Sequence, residues 1–329
     1  MIEVEHLVKK YGDHFAVEDI SFSAEPGRIY GFLGPNGAGK STTMNIMTGY
    51  LAATSGTVKI NGFDIVRQPE EAKKRVGYLP EVPPVYGDMT VREYLMFAAE
   101  LKKMPKSTWK EAVAASMEKT AVTHMQERLI RNLSKGYRQR VGLAQAIINS
   151  PDIIILDEPT AGLDPAQQRE MFDYIRSLKG EHTIILSSHI LSDVSEICDY
   201  IWILNKGRLV ASDTPENLGR RLTSDQEIDL RVKGTEAEVR KVLEGFAGID
   251  IRDTVISEDG TVLMHLSEPA GQDNRAALSV ALINASLPIL TLTRPQRTLE
   301  EVFFTLTAED ADEAAAALEK EDENEGGQE

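Results

Sequence analysis

A glycine-rich segment at residues 34–41 constrains the fold of this chain most, because its spacing is that of the phosphate-binding P-loop, G-x-x-x-x-G-K-[ST]. Glycine adopts backbone conformations that a Cβ forbids, so the loop can turn successive amide N–H groups towards the α- and β-phosphates of a nucleotide. Lys40 is expected to reach the β- and γ-phosphates, and the Ser41 hydroxyl to bind Mg²⁺. The segment therefore predicts a nucleoside triphosphate site formed by Gly34, Pro35, Asn36, Gly37, Ala38, Gly39, Lys40, Ser41 and Thr42.

The residues on either side of this loop favour that interpretation over an ordinary glycine-rich turn. Residues 28–33 are mainly apolar and predict a buried strand, and residues 41–47 predict a helix that begins at the loop. The amino-terminal end of a helix carries partial positive charge and unpaired N–H groups, and both favour a bound phosphate. We therefore expect a strand, the loop and a helix in this order.

An acidic pair follows a second apolar run. Residues 153–156 are four consecutive apolar residues, which is typical of a strand buried on both faces of a parallel sheet, and Asp157 and Glu158 come directly after them. Alone, two such acids could mark a simple change from strand to loop. Together with a P-loop they predict that Asp157 holds Mg²⁺ through water and that Glu158 acts as the general base for the attacking water.

Three further segments are candidates for stabilising the γ-phosphate, on which negative charge must be stabilised during hydrolysis. Ser134 precedes an apolar-periodic run and predicts a helix N-cap, although a capped helix need have no further role. Residues 161–164 form a turn that ends in an acid, Asp164. Residues 184–188 predict a strand that ends at His189, which could be a structural histidine or a contact to the γ-phosphate.

In this order the motifs resemble those of the ATPase subunits of ABC transporters, and the resemblance covers about residues 1–218. It implies that Tyr11 stacks on adenine, that His189 is the switch histidine and that Asp164 belongs to the Asp loop. It also implies that Ser134 and Gly136, in the signature segment, close over the nucleotide held by a second subunit. The implied cofactors are ATP and Mg²⁺. The implied partners are a second copy of this chain and a separately encoded membrane-spanning permease.

Two departures from the family pattern matter. Residues 133–137 read Leu-Ser-Lys-Gly-Tyr, so Lys135 and Tyr137 stand where the family signature has glycine and glutamine. Glu81 stands at the position of the family's loop glutamine, and its carboxylate is a candidate Mg²⁺ ligand. Both departures resemble the branch of the family that serves exporters of drugs, polysaccharides and gliding-motility components. The resemblance therefore implies an exporter and a place at the cytoplasmic face of the cell membrane, reached through the permease.

The charge and the cysteine content argue against a nucleic-acid-binding protein and against a disulfide-linked one. The net charge of −16 weighs against a nucleic-acid partner, because neutralising phosphates requires lysine and arginine. The segment Glu309–Glu329 holds ten acidic residues and one lysine, and we expect this tail to be disordered. The single cysteine, Cys198, excludes an internal disulfide and fits a reducing compartment. No apolar stretch approaches the roughly 20 residues of a membrane-spanning helix, and no signal peptide is expected.

The changes of pattern along the chain predict an α/β fold with three parts. Residues 1–218 are expected to form an ABC-type P-loop ATPase domain with a parallel core sheet, an antiparallel β subdomain and a helical arm that carries the signature. Residues 222–308 predict the order β-α-β-β-α-β of a small ferredoxin-like α+β domain. Residues 309–329 are the acidic tail.

Two alternatives to an exporter ATPase remain. The first is a soluble ATPase of the same superfamily that works on ribosomes or DNA. Against it, the chain has one cassette, and only a compact arm separates Lys40 from Leu133. The second is a nucleotide-gated scaffold without catalysis, which the presence of Glu158 and His189 contradicts.

Overall fold

The described residues form two compact units in the computed structural model of the chain. These residues are 1–221, 227–257, 260–269, 271–294 and 303. One unit extends from Met1 to Pro215 and includes Phe303, and the other lies within Glu216–Val302. The predicted acidic tail at residues 309–329 lies outside the described residues, as do residues 295–302 and 304–308 of the predicted second domain.

The strands and helices of the chain before residue 222 alternate in the way the sequence predicts. The strands are β1 (Ile2–Tyr11), β2 (His14–Ala24), β3 (Ile29–Leu33), β4 (Ser55–Ile60), β5 (Phe63–Asp64), β6 (Val76–Leu79), β7 (Ile153–Leu156), β8 (Thr183–Ser188), β9 (Tyr200–Asn205) and β10 (Arg208–Asp213). The α-helices are α1 (Lys40–Met47), α2 (Pro69–Lys74), α3 (Val91–Leu101), α4 (Trp109–Lys119), α5 (Lys135–Ile147), α6 (Pro165–Ser177), α7 (Leu191–Ile197) and α8 (Pro215–Arg221).

The larger sheet has six strands in the order β10-β9-β3-β8-β7-β6, and all neighbours are parallel except β10 and β9. Strands β3, β7 and β8 are buried along their whole length, which explains the apolar sequences of β3 and β7 and the apolar centre of β8, Ile184–Leu186. Because parallel strands end at the same edge, Leu33, Leu156 and Ser188 bring three loops together. This edge is where the sequence motifs meet, and the predicted parallel core is confirmed.

A second sheet pairs β2, β1, β4 and β5 in antiparallel order and packs on the first through aromatic side chains. Phe22 of β2 contacts Trp202 of β9 at a ring-centroid distance of 4.6 Å, and Tyr30 of β3 stacks on the same indole at 4.8 Å. Trp202 is almost completely buried. The antiparallel subdomain is therefore fixed to the core sheet by one aromatic cluster.

The helical arm consists of α3, α4 and α5 around its own apolar core, to which Val91, Leu95 and Val141 contribute. It begins at a capping box in which the Thr90 hydroxyl accepts the Glu93 N–H and the Glu93 carboxylate accepts the Thr90 N–H. Helix α5 also approaches β6 closely, since a Cβ on Gly77 would lie 2.3 Å from the Ala146 carbonyl oxygen. This contact connects the signature helix to the core sheet.

The second unit has the predicted β-α-β-β-α-β order. Its elements are β11 (Glu227–Lys233), α9 (Glu236–Leu243), β12 (Asp250–Ile256), β13 (Thr261–Ser267), α10 (Arg275–Asn284) and β14 (Ile289–Thr293). The strands pair antiparallel in the order β12-β13-β11-β14, which is the ferredoxin-like arrangement. Thr235 and Glu238 form a capping box at the start of α9. Strand β12 begins at Asp250, where Asp250 and Ile251 pair with Ser267 and Leu266 of β13.

Within the part of the chain that the structure describes, no helix is both long enough and apolar enough to cross a membrane.

Lys102, directly after α3, provides a test of the packing of the arm. Its ammonium donates to the Ala146 carbonyl and to Asn149 Oδ1, which are neutral acceptors, and burial lowers the pKa of Lys102 from 10.5 to about 8. Between these two pKa values the unfolded chain holds the proton that the folded chain has released, so stability rises with pH. The free energy of unfolding of the native chain and of Lys102→Met should be measured at about pH 7 and about pH 9.5. Relative to the variant, the native chain should be more stable at the higher pH than at the lower one. A difference that does not change with pH would contradict this packing.

Candidate active site

The P-loop follows β3 and precedes α1, and two of its three glycines stand where a side chain would collide with neighbouring strands. Gly39 has a φ of 102°, and a Cβ there would lie 2.5 Å from the Ala16 carbonyl oxygen. A Cβ on Gly34 would lie 2.4 Å from the Leu204 carbonyl oxygen. Gly37, with a φ of 83°, faces open space. The loop is therefore pressed against the strands while its tip remains accessible.

Lys40 is the main positive charge of the site and is only 6% exposed. Its ammonium donates to the carbonyl oxygens of Gly34 and Pro35, at 2.6 and 3.1 Å, and lies 3.8 Å from Glu158 Oε1. Burial lowers the pKa of Lys40, whereas the charges of Glu158 and Asp157 oppose this decrease. The carbonyl groups of the loop therefore hold the Lys40 ammonium in place over it.

Asp157 lies at the end of β7 and connects the P-loop to β8. Its Oδ1 accepts the Ser41 hydroxyl at 3.1 Å and the Ser187 hydroxyl at 2.6 Å. The Ser187 oxygen in turn accepts the backbone N–H of Glu158 at 2.8 Å. These three bonds place the Asp157 carboxylate beside the serine that the sequence predicts to bind Mg²⁺.

Glu158 and His189 are adjacent although they lie on different loops. His189 Nδ1 is 2.9 Å from Glu158 Oε2, the glutamate side chain is 12% exposed, and the histidine side chain is 47% exposed. Glu158 has a φ of 47°, a left-handed conformation that is uncommon for a residue with a side chain. Such strain is often found at functional sites, and here it occurs at the predicted general base.

A cavity of about 250 Å³ opens at this edge of the sheet. The predicted site residues that line it are Asn36, Gly37, Ala38, Gly39, Lys40, Ser41, Thr42, Glu81, Glu158 and His189, together with Ala16 and Ala161. Gly34 and Pro35 lie beneath it through their bonds to Lys40, and Asp157 lies beside it through Ser41. P-loop, acidic strand end and histidine therefore converge on one space.

Ser134, Gly136 and Asp164 lie outside the lining of this cavity. Ser134 caps α5 by accepting the Tyr137 N–H, and Asp164 caps α6 by accepting the Gln167 N–H at 2.9 Å. A Cβ on Gly136 would lie 2.6 Å from the Gln167 side-chain oxygen. The predicted signature and Asp loop are thus neighbours, at the adjoining amino-terminal ends of two helices.

Tyr11 stands at the end of β1, opposite His14 in the turn to β2, and about half of it is exposed. The Lys9 ammonium lies 4.9 Å from the centre of its ring. Tyr11 is not part of the cavity lining. Its contact with adenine stays a prediction from the resemblance.

Comparisons with known proteins agree with this geometry. A family model described as ABC transporter matches residues 17–161. The bacitracin transport ATP-binding protein BcrA of Bacillus licheniformis is 32% identical over 308 residues, which are 93% of this chain and 97% of that protein. The chain belongs to the ABC transporter ATP-binding proteins. As a member of this family, it is an ATP-binding protein and an ATPase.

Two further relatives of this ABC ATPase support the assignment. The daunorubicin/doxorubicin resistance ATP-binding protein DrrA of Streptomyces peucetius is 30% identical over 325 residues, covering 98% of this chain and 97% of that protein. A solved structure of the ATP-binding subunit of an ABC transporter is 29% identical with a TM-score of 0.62, covering 67% of this chain and 92% of that one. The predicted family and fold class are confirmed.

Ser187 is a site residue of the ABC ATPase that the sequence analysis missed. A serine at the end of a strand has no distinctive spacing, and its role becomes visible only when β7 and β8 are placed side by side. Its hydroxyl is completely buried and connects Asp157 to the backbone of Glu158. Ser187 therefore orients both acids.

Ser187→Ala should lower ATP turnover by roughly tenfold or more, because a hydrogen bond to a charged group contributes about 1.5–3 kcal/mol. Steady-state kinetics and a melting temperature should be measured together. The matched control is Thr183→Val at the opposite end of β8, where the hydroxyl accepts the Gly27 N–H at 3.2 Å. The control should lose stability and retain turnover. Full turnover in Ser187→Ala would contradict the role of this hydroxyl.

Proposed function

We propose that this ABC ATPase is the ATP-hydrolysing subunit of a membrane exporter, and that two copies enclose ATP between the P-loop of one and the signature of the other. The observation that most strongly supports the proposal is that the motifs lie in two separate places on one copy of the chain. The cavity collects Lys40, Glu158 and His189, whereas Ser134 and Gly136 lie outside it. A site divided in this way is incomplete until a second surface covers it.

The residues of the cavity fit ATP with Mg²⁺. The P-loop N–H groups and Lys40 suit the phosphates. Ser41 and Asp157, whose side chains are 3.1 Å apart, are the proposed magnesium ligands, and Glu81 in the cavity lining is a third candidate. No group of three or more His, Cys, Asp or Glu side chains in the described residues could hold a metal. Mg²⁺ commonly takes its remaining ligands from water and substrate phosphates, so this small donor set suits a nucleotide-bound ion.

The chain supplies a base and a group to orient it. Glu158 is placed to accept a proton from the attacking water, and His189 can hold the glutamate side chain and contact the γ-phosphate. Lys40 can stabilise the charge on the phosphate as the bond to the leaving group breaks. The low exposure of Lys40 and Glu158 strengthens these interactions, because screening by water is reduced.

Ser134, Gly136 and Asp164 are proposed to act on the nucleotide of a second subunit. Two helix amino-terminal ends lie together here, and each attracts negative charge. The Lys135 side chain adds a positive charge next to Gly162 of the Asp loop, since a Cβ on that glycine would lie 2.3 Å from the ammonium. This surface suits the γ-phosphate of a nucleotide bound to the other copy.

The names of the relatives support a role in transport and drug resistance. The relatives are a bacitracin transport protein and a daunorubicin/doxorubicin resistance protein, and this chain matches 97% of the length of each. We therefore propose that a separately encoded permease holds this subunit at the cytoplasmic face of the membrane.

We assign no catalysis to the ferredoxin-like unit, for which we propose a role in pairing the subunits. In this unit His265 Nδ1 lies 2.6 Å from Asp229 Oδ1, so the side chain of this histidine already has a hydrogen-bond partner.

Glu158→Gln tests the proposed base. It should lower turnover by about 10²-fold or more, because the amide cannot accept the proton. Nucleotide binding should remain, so that dimers accumulate with ATP and disappear with ADP in sedimentation velocity experiments. Lys40→Ala should instead weaken ATP binding.

The control for charge removal is Glu181→Gln, since this exposed glutamate lies before β8 and pairs with Lys119. It should behave like the native chain. A Glu158→Gln protein that hydrolyses ATP at the native rate, with its membrane partner present, would refute the proposed function.

A further inference from the structure

A second connection links the two loops that carry Glu158 and His189. The Thr160 hydroxyl donates to Asp193 Oδ2 at 3.2 Å. Both side chains are nearly free of solvent, with exposures of 4% for Thr160 and 7% for Asp193. Neither residue lines the cavity, so neither is positioned to contact the nucleotide.

The surroundings of Asp193 are unusual for a carboxylate. Burial raises its pKa, and the negative charges of Glu196 and Glu158 act in the same direction, whereas the Thr160 hydrogen bond and His189 lower it. No lysine, arginine or histidine within the described ranges forms an ion pair with it. A buried acid without a cation is costly, so it is retained where its hydrogen bond is needed.

The positions of the two residues indicate what their hydrogen bond fixes. Thr160 lies two residues after Glu158, and Asp193 lies four residues after His189, within the first turn of α7. Only a short stretch of backbone therefore separates Thr160 from Glu158, and Asp193 from His189. The Glu158–His189 contact and the Thr160–Asp193 bond therefore close a ring through both loops. Opening one side of the ring leaves the other side-chain contact, together with the bond from the Glu158 N–H to Ser187, to fix the two loops.

We propose that Thr160 and Asp193 are positioning residues, whose hydrogen bond keeps Glu158 and His189 in the geometry required for hydrolysis. This inference rests on the roles proposed above for Glu158 and His189. The bond acts by fixing the loop after β7 against the start of α7. An error of about 1 Å in the position of a catalytic group can lower a rate about a hundredfold.

The direct test replaces the Thr160 hydroxyl while keeping the shape of the side chain. Thr160→Val should lower kcat by about tenfold or more while KM for ATP changes by less than about threefold, because the base is misplaced and the P-loop is untouched. Thr160→Ser retains the hydroxyl and should recover most of the rate. Asp193→Ala should match Thr160→Val, and the double variant should be no slower than either, as expected for two residues that act through one bond.

Two controls separate positioning from stability. Thr120→Val removes another buried threonine hydroxyl, which donates to the Ser116 carbonyl in the helical arm, and it should lower the melting temperature without lowering kcat. Thr160→Ala is the second variant if the valine protein does not fold. Native kcat in the valine or alanine variant, or equal losses in Thr160→Ser and Thr160→Val, would overturn the inference. Native turnover in Glu158→Gln would instead overturn the proposed function, so the two failures are distinguishable.

Discussion

The parallel pairing of β3, β7 and β8 is the constraint on which the rest of the structure depends. Each strand is completely buried and mainly apolar apart from the hydroxyl residues at the ends of β8, so its place in the sheet is strongly determined. Leu156 pairs with Leu186, and Leu33 pairs with Ser188, so the loops after these strands must meet. The P-loop, the acidic pair and the histidine are brought together by burial of side chains that take no part in the chemistry.

The polar bonds at this edge convert proximity into a defined geometry. Lys40 is held by loop carbonyls, and Asp157 accepts hydroxyls from both neighbouring segments. Because these groups are poorly exposed, each unpaired one would cost free energy. The same reasoning explains why Ser187 and the Thr160–Asp193 pair matter although none of them lines the cavity. The site is a network in which hydrogen bonds between loops orient the groups that face the nucleotide.

Much of this arrangement could be predicted from the sequence, because the motifs stand at the ends of strands that apolar runs reveal. The segments before Gly34, Asp157 and His189 are examples. Ser187 and Asp193 could not be predicted in the same way, since a serine or an acid in a common setting gains its meaning from a partner that is distant in sequence. The contacts of Tyr11 and Ser134 with nucleotide remain predictions, because they require a ligand or a second copy.

The central claim is that the signature of one copy completes the site of another, and disulfide cross-linking tests it most directly. One chain would carry Asn36→Cys and the other Ser134→Cys, both with Cys198→Ser, which removes the single native cysteine, and with Glu158→Gln. The account predicts a cross-linked dimer that forms with ATP and is lost with ADP, and only when the two chains are mixed. A mixture that gives no cross-linked dimer with ATP, while both chains still bind the nucleotide, would contradict it.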